Sequence, residues 1–150
     1  MPEHEIVERE ILRRPFEYEA AVEEALRFDS PIQGFFRNTL EPVELRGVEI
    51  PADEKVMVLY GSANRDERKY PDPDRFIVDR NPADHVAFGA GIHLCLGAPH
   101  ARLIMRTFLQ ALIDRVSAIE ILGAEEHVER EGAYQRINGY DSLTVRLHAR

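Results

Sequence analysis

The chain has 150 residues, a length suited to one domain, and its 44% hydrophobic and 31% charged content is ordinary for a globular protein. Its 27 acidic residues against 19 basic ones give a formal net charge of −8, which argues against a generic nucleic-acid binder. One cysteine excludes an intramolecular disulfide, and no apolar run approaches the length that crosses a bilayer. The first residues show neither the basic flank nor the apolar core of a signal peptide, so the expected location is the cytoplasm, without nucleic-acid or membrane partners.

Residues 3–14 carry Ile6, Val7, Ile11 and Leu12 at a spacing that predicts an amphipathic helix, ended by Pro15. A second helix is expected from about Phe16 to Phe28, stopped by Asp29-Ser30-Pro31. Phe35 to Leu40, Val43 to Ile50 and Val56 to Tyr60 are short β-prone runs, with turns at Gly47 and Pro51-Ala52-Asp53-Glu54, and read as hairpins. From Gly61 to Asp84 there is little periodicity and three prolines, as in a long ordered loop or a linker. The longest helix is expected at about Ala98 to Ser117, largely buried through Leu103, Phe108, Leu109, Leu112, Ile113 and Val116. Strands are expected at Ile119–Leu122, Tyr134–Ile137 and Leu143–Leu147, with Asn138-Gly139 as the turn between the last two.

The lone Cys95 stands after a glycine-rich loop and before that long helix. Free N–H groups at a helix start favour a thiolate, and Gly89, Gly91 and Gly97 let the backbone turn tightly beside a large flat ligand. Three other fates are open on spacing alone. Cys95 is a buried small hydrophobe, the commoner outcome, or a nucleophile paired with a histidine such as His93, or, less readily, a zinc ligand. Glu24 and Arg27, three apart on a helix, are equally compatible with a solvated face, and Arg37 with an exposed strand.

The segment Phe88-Gly89-Ala90-Gly91-Ile92-His93-Leu94-Cys95-Leu96-Gly97 resembles the cysteine-ligand loop of the cytochromes P450, the haem-thiolate monooxygenases. That resemblance implies an α+β fold: the carboxy-terminal part of the cytochrome P450 fold, helices and short antiparallel hairpins around the cysteine loop. It implies that Cys95 is the axial ligand of haem iron (heme b, iron protoporphyrin IX), where thiolate electron density favours O–O cleavage. It further implies that His93 and Arg37 bond haem carboxylates and that Phe88 packs beside the thiolate face, with Gly89, Gly91 and Gly97 shaping the loop. Ala21-Val22-Glu23-Glu24-Ala25-Leu26-Arg27 is similar to the family's Glu-x-x-Arg helix, and Asp72-Pro73-Asp74-Arg75-Phe76 to the segment giving its third charged partner. The implied structural triad is Glu24, Arg27 and Arg75, and Asn64-Arg65-Asp66 also follows the family's pattern.

The resemblance runs from about Ile11 to the end. It implies one partial haem-binding domain over residues 1–150: helical to 31, hairpins over 32–60, a proline-rich loop over 61–87, the cysteine-ligand loop over 88–97, the long helix over 98–118 and strands over 119–150. Two departures stand out: His100 replaces a usual leucine, placing a histidine at an expected buried position, and Ile104 replaces a usual acid. The family's oxygen-side helix is not found, so a half-site with exposed apolar surface is expected, favouring self-association or docking of an amino-terminal half. The implied activity is insertion of one oxygen atom from O2 into an organic substrate, with electrons from a ferredoxin-type redox partner. The alternatives are a truncated, non-catalytic haem-binding or interaction fragment, and a haem-free domain.

Overall fold

The computed structural model describes residues 17–131 and 134–150, with side chains at 128–138 not described; the helix expected at 3–14 lies outside these residues. The chain falls into two compact units, Glu23–Ala98 and a second formed by Pro99–Arg150 with the described residues before Glu23.

In the Glu23–Ala98 unit, helix α1 (Tyr18–Phe28) runs in from the preceding segment and buries Leu26 along with Glu24 and Arg27. Strands β1 (Gly34–Asn38) and β4 (Lys55–Leu59) pair antiparallel and enclose a small hairpin of β2 (Val43–Leu45) and β3 (Val48–Ile50). Leu45 faces Val48, leaving the two-residue turn Arg46-Gly47 with φ of 53° and 80°. Positive φ at both central residues is the turn whose twist matches a hairpin, and glycine serves the second position without steric cost. Thr39 closes the other end: its hydroxyl donates to the Pro51 carbonyl at 2.6 Å and accepts from Glu54 N–H at 2.9 Å.

A short helix α2 (Tyr60–Asn64) follows β4 directly, and beyond it residues 65–97 hold only two 3₁₀ turns, Val78–Arg80 and Gly91–His93. This is the long ordered loop of the two expectations, because buried polar side chains fasten its backbone. Several apolar side chains of this unit are nonetheless bare: Leu40, Ile92 and Leu96 are 92%, 97% and 96% exposed.

In the other unit, α3 (Ala98–Arg115) leads into β5 (Val116–Glu131), which pairs antiparallel with β6 (Tyr134–Ala149). Pro99 is tolerated in the first turn of α3, where its missing N–H would have had no helical acceptor. Ile113 and Val116 are buried, but Leu103, Ile104 and Phe108 are each more than 60% exposed, so α3 is not the largely buried helix its apolar stripe predicts. Periodicity identifies the face a helix can bury, and here Ala98, Ile113 and Val116 are covered while the middle of the apolar stripe is not. His100 is exposed as well, so water can satisfy its imidazole and no buried partner is required. The tail also differs from expectation. Asn138-Gly139 lies within β6, opposite a register irregularity between Glu126 and Val128, and Gly139 takes a φ of 105°. A positive-φ signal fits a bulge as well as a turn.

Candidate functional site

Two buried polar systems fasten the chain that leads into the cysteine loop. In the first, Arg27 makes a two-point contact with Glu24, Nε to Oε2 and Nη2 to Oε1, each at 2.8 Å, with both side chains fully shielded from water. The remaining Arg27 donors reach the backbone carbonyls of Asn64 at 2.8 Å, Pro73 at 3.0 Å and Arg75 at 3.2 Å. Glu24 Oε1 also accepts from the Ile77 N–H at 2.9 Å and from Arg80 Nε at 3.2 Å. Arg80 in turn donates to the Pro71 carbonyl at 2.6 Å and that of Asp72 at 3.0 Å. The third cation at Glu24 is therefore Arg80, not Arg75. Arg75 contributes its carbonyl, while its guanidinium is 72% exposed and 3.7 Å from Asp72.

The second system runs from α1 to the loop itself. Asn64, buried, donates through Nδ2 to Ser30 Oγ at 2.7 Å and accepts the Val86 N–H on Oδ1 at 2.8 Å. His85 Nδ1 accepts the Ala87 N–H at 3.2 Å, which leaves the ring proton on Nε2, 3.1 Å from Glu23 Oε2. That tautomer is assigned from the hydrogen-bond network. Further out, the Lys69 ammonium holds the Asp84 carboxyl below the usual carboxylate range, and burial pushes the Tyr70 phenol up.

On this base the loop folds back on itself. Cys95 N–H donates to the Phe88 carbonyl at 2.8 Å, Gly89 N–H to that of Val86 at 2.9 Å, and Ala98 N–H to that of Cys95 at 3.2 Å, delivering the loop into α3. Gly89 is required twice over: its φ is 74°, and a Cβ there would stand 2.9 Å from the His93 carbonyl oxygen. Cys95 is exposed, so the buried-hydrophobe alternative for it does not hold.

Cys95, Phe88, Gly89, His93 and Arg37 line one cleft of about 510 Å³, closed by Pro31, Ile32, Phe35, Tyr60 and Ala87. That volume lies within the usual range for small-molecule sites. Gly91 and Gly97 are not in its wall: Gly91 turns the backbone with a φ of 59°, and a Cβ on Gly97 would be in ordinary contact with the Cys95 sulfur at 3.7 Å. Arg37 is anchored through Nη1 to the Phe36 carbonyl at 2.8 Å and through Nη2 to the Tyr60 hydroxyl at 3.1 Å. Tyr60, Ile32, Ala87, His85, Glu23 and Arg80 escaped sequence reasoning. Only the acid–base run around Asp79-Arg80 offered a signal for the last, and it did not separate Arg80 from Arg75.

The sequence signature described as Cytochrome P450 matches residues 16–128. The chain belongs to the cytochrome P450 family. It is 52% identical over 127 residues to cytochrome P450 CYP199A2 of Rhodopseudomonas palustris, covering 85% of this chain and 30% of that protein. It is 41% identical over 138 residues to 6-deoxyerythronolide B hydroxylase of Saccharopolyspora erythraea, covering 91% and 34%. The solved structure of substrate-free CYP109E1 from Bacillus megaterium superposes with a TM-score of 0.85 at 33% identity, covering 99% of this chain and 38% of that one. The chain thus spans about a third of the length of these relatives, and its mixed helix-and-sheet architecture is a partial P450 fold.

Cytochromes P450 bind haem b, and the cleft's residues fit that group. Among the described residues no three His, Cys, Asp or Glu side chains converge to hold a bare ion. A single accessible cysteine sulfur suits a metal whose other positions are filled by a macrocycle. Apolar walls from Ile32, Phe35, Ala87 and Phe88 suit a flat hydrophobic ring, and Arg37 and His93 suit its acidic edge. No helix among the described residues is long and apolar enough to cross a membrane.

Proposed function

We propose that this chain builds the thiolate side of a haem site, with Cys95 as the iron ligand, in a protein that inserts oxygen from O2 into an organic substrate. The observation that carries the reading is the convergence of Cys95, Phe88, His93 and Arg37 on one cleft with apolar walls. Haem, when bound, supplies the oxygen and electron-transfer chemistry. The chain's own residues do the rest. Cys95 offers its sulfur from a loop pinned by the Phe88 carbonyl. Arg37 and His93 orient the acidic edge of the ring. Phe88 and Ala87 would give the ring an apolar wall beside the sulfur, with Gly89 in the same lining. Glu24, Arg27 and Arg80 fasten the proline-rich stretch that precedes the cysteine loop. Work in the cytoplasm with a ferredoxin-type electron donor accords with this reading.

A second reading, haem binding without turnover, is favoured by the coverage of only about a third of the relatives' length. Under it the apolar side chains left bare, Ile92 and Leu96 among them, would meet further chain or a second copy. Haem reconstitution tests both. A strongly red-shifted ferrous–CO Soret band, lost in Cys95→Ala, is expected; no haem uptake overturns the proposal. Coupled hydroxylation by the purified chain would then favour the first reading, and binding without turnover the second.

A further inference from the structure

We infer that Tyr60 is an additional binding residue of this cleft: its hydroxyl holds Arg37 in place and donates its own hydrogen to a carboxylate of the bound group. This rests on the haem reading, in which the acidic edge of the ring meets Arg37.

Tyr60 opens α2 at the end of β4 and is 8% exposed, yet it lines the cleft. A buried phenol carries a donor as well as an acceptor, and both usually find partners. The acceptor is used by Arg37 Nη2 at 3.1 Å. The donor has no acceptor among the described residues. The ring is held in place by Phe35 in an edge contact with centroids 6.2 Å apart, so the hydroxyl position is fixed. That hydroxyl would be 3.9 Å from a Cβ built on Gly89, which places it beside the cysteine loop.

Arg37 spends one contact on the Phe36 carbonyl and one on Tyr60, leaving other guanidinium N–H groups open among the described residues. A wall that presents guanidinium and phenol donors side by side, with His93 also in the lining, calls for an anionic acceptor with two oxygens. A carboxylate meets both. By accepting from Arg37, the phenol also polarises its own O–H and strengthens what it donates.

The test is haem titration of the wild type and Tyr60→Phe, followed by the Soret band, in parallel with haem dimethyl ester, whose carboxylates are blocked. Phenylalanine keeps the ring and its contact with Phe35, and matching far-ultraviolet circular dichroism checks that the fold is kept. The variant should bind haem about ten- to a hundredfold more weakly, the size of one hydrogen bond to a charged group, and bind the ester as the wild type does. Unchanged haem affinity, or an equal loss with haem and ester, overturns the assignment of Tyr60 while leaving the haem reading intact. Failure of the wild type to take up haem overturns both.

Discussion

Arg27 and Glu24 form a two-point ion pair from which water is wholly excluded, and every N–H of the guanidinium finds an oxygen. Desolvating both charges is costly, and only complete hydrogen bonding offsets it. The pair is therefore a clamp rather than a reservoir of stability. Four of its contacts end on backbone groups of residues 64–77, a stretch with almost no regular structure of its own. Removing one member, as in Arg27→Ala or Glu24→Ala, should destabilise by about 3–5 kcal/mol, measured by urea unfolding. Arg27→Lys should recover little, because an ammonium cannot reproduce the planar fork.

Arg80 and Arg75 should behave differently although they stand five residues apart. Arg80→Ala removes a charged donor from a buried carboxylate and two contacts with the Pro71 and Asp72 carbonyls. A loss of about 1.5–3 kcal/mol is expected. Arg75→Ala keeps the carbonyl that Arg27 uses and deletes only an exposed guanidinium, so the change should stay within about 0.5 kcal/mol. Thermal midpoints of the two variants decide it, and the reverse order would restore Arg75 as the third partner.

That contrast marks how far the sequence could be read. The hairpins and the long helix were legible because glycine, proline and alternation encode local backbone geometry, whereas the role of the cysteine loop came only from its resemblance to a known family. The pairing of Glu24 with Arg27 was open on spacing alone, which suits a solvated face equally well, and only the resemblance implied its structural role. Arg80 was not legible, since its approach depends on how an irregular loop folds over α1, which no local pattern records. Tyr60 and His85 were missed for the same reason: their partners Arg37 and Glu23 are 23 and 62 residues away. The exposed face of α3 was misjudged because amphipathicity reports capacity for burial and says nothing of what covers it.

Gly89 and Gly97 give a graded test of the cysteine loop. Gly89→Ala places a Cβ at positive φ and 2.9 Å from the His93 carbonyl, so either Gly89 or the 3₁₀ turn carrying His93 must shift. A loss of about 1–2 kcal/mol from backbone conformation alone is expected, and more from the contact. Gly97→Ala meets only the Cys95 sulfur at an ordinary 3.7 Å, so its effect on folding should be smaller. If haem binds as proposed, the added methyl should instead perturb the thiolate's surroundings and shift the Soret band. Equal unfolding midpoints for the two variants would argue against the strain at Gly89.

The proline-rich loop should loosen in acid through a carboxylate on its surface. Arg68 donates from its side chain and its backbone N–H to Asp66, lowering that carboxyl from 3.8 to about 2. A folded-state value below the unfolded one means the unfolded chain binds more protons between them. The stabilising contribution is thus fully present above about pH 4 and is lost as pH falls towards 2. Asp84, lowered by its hydrogen bond to Lys69, acts in the same direction at the other end of the loop. Because Asp66 is at the surface, the effect should be small and should shrink as added salt screens the pair. Urea midpoints measured from pH 5 to pH 2 should fall less steeply in Asp66→Asn than in the wild type. Parallel curves would mean that Asp66 does not contribute to the acid sensitivity of the fold.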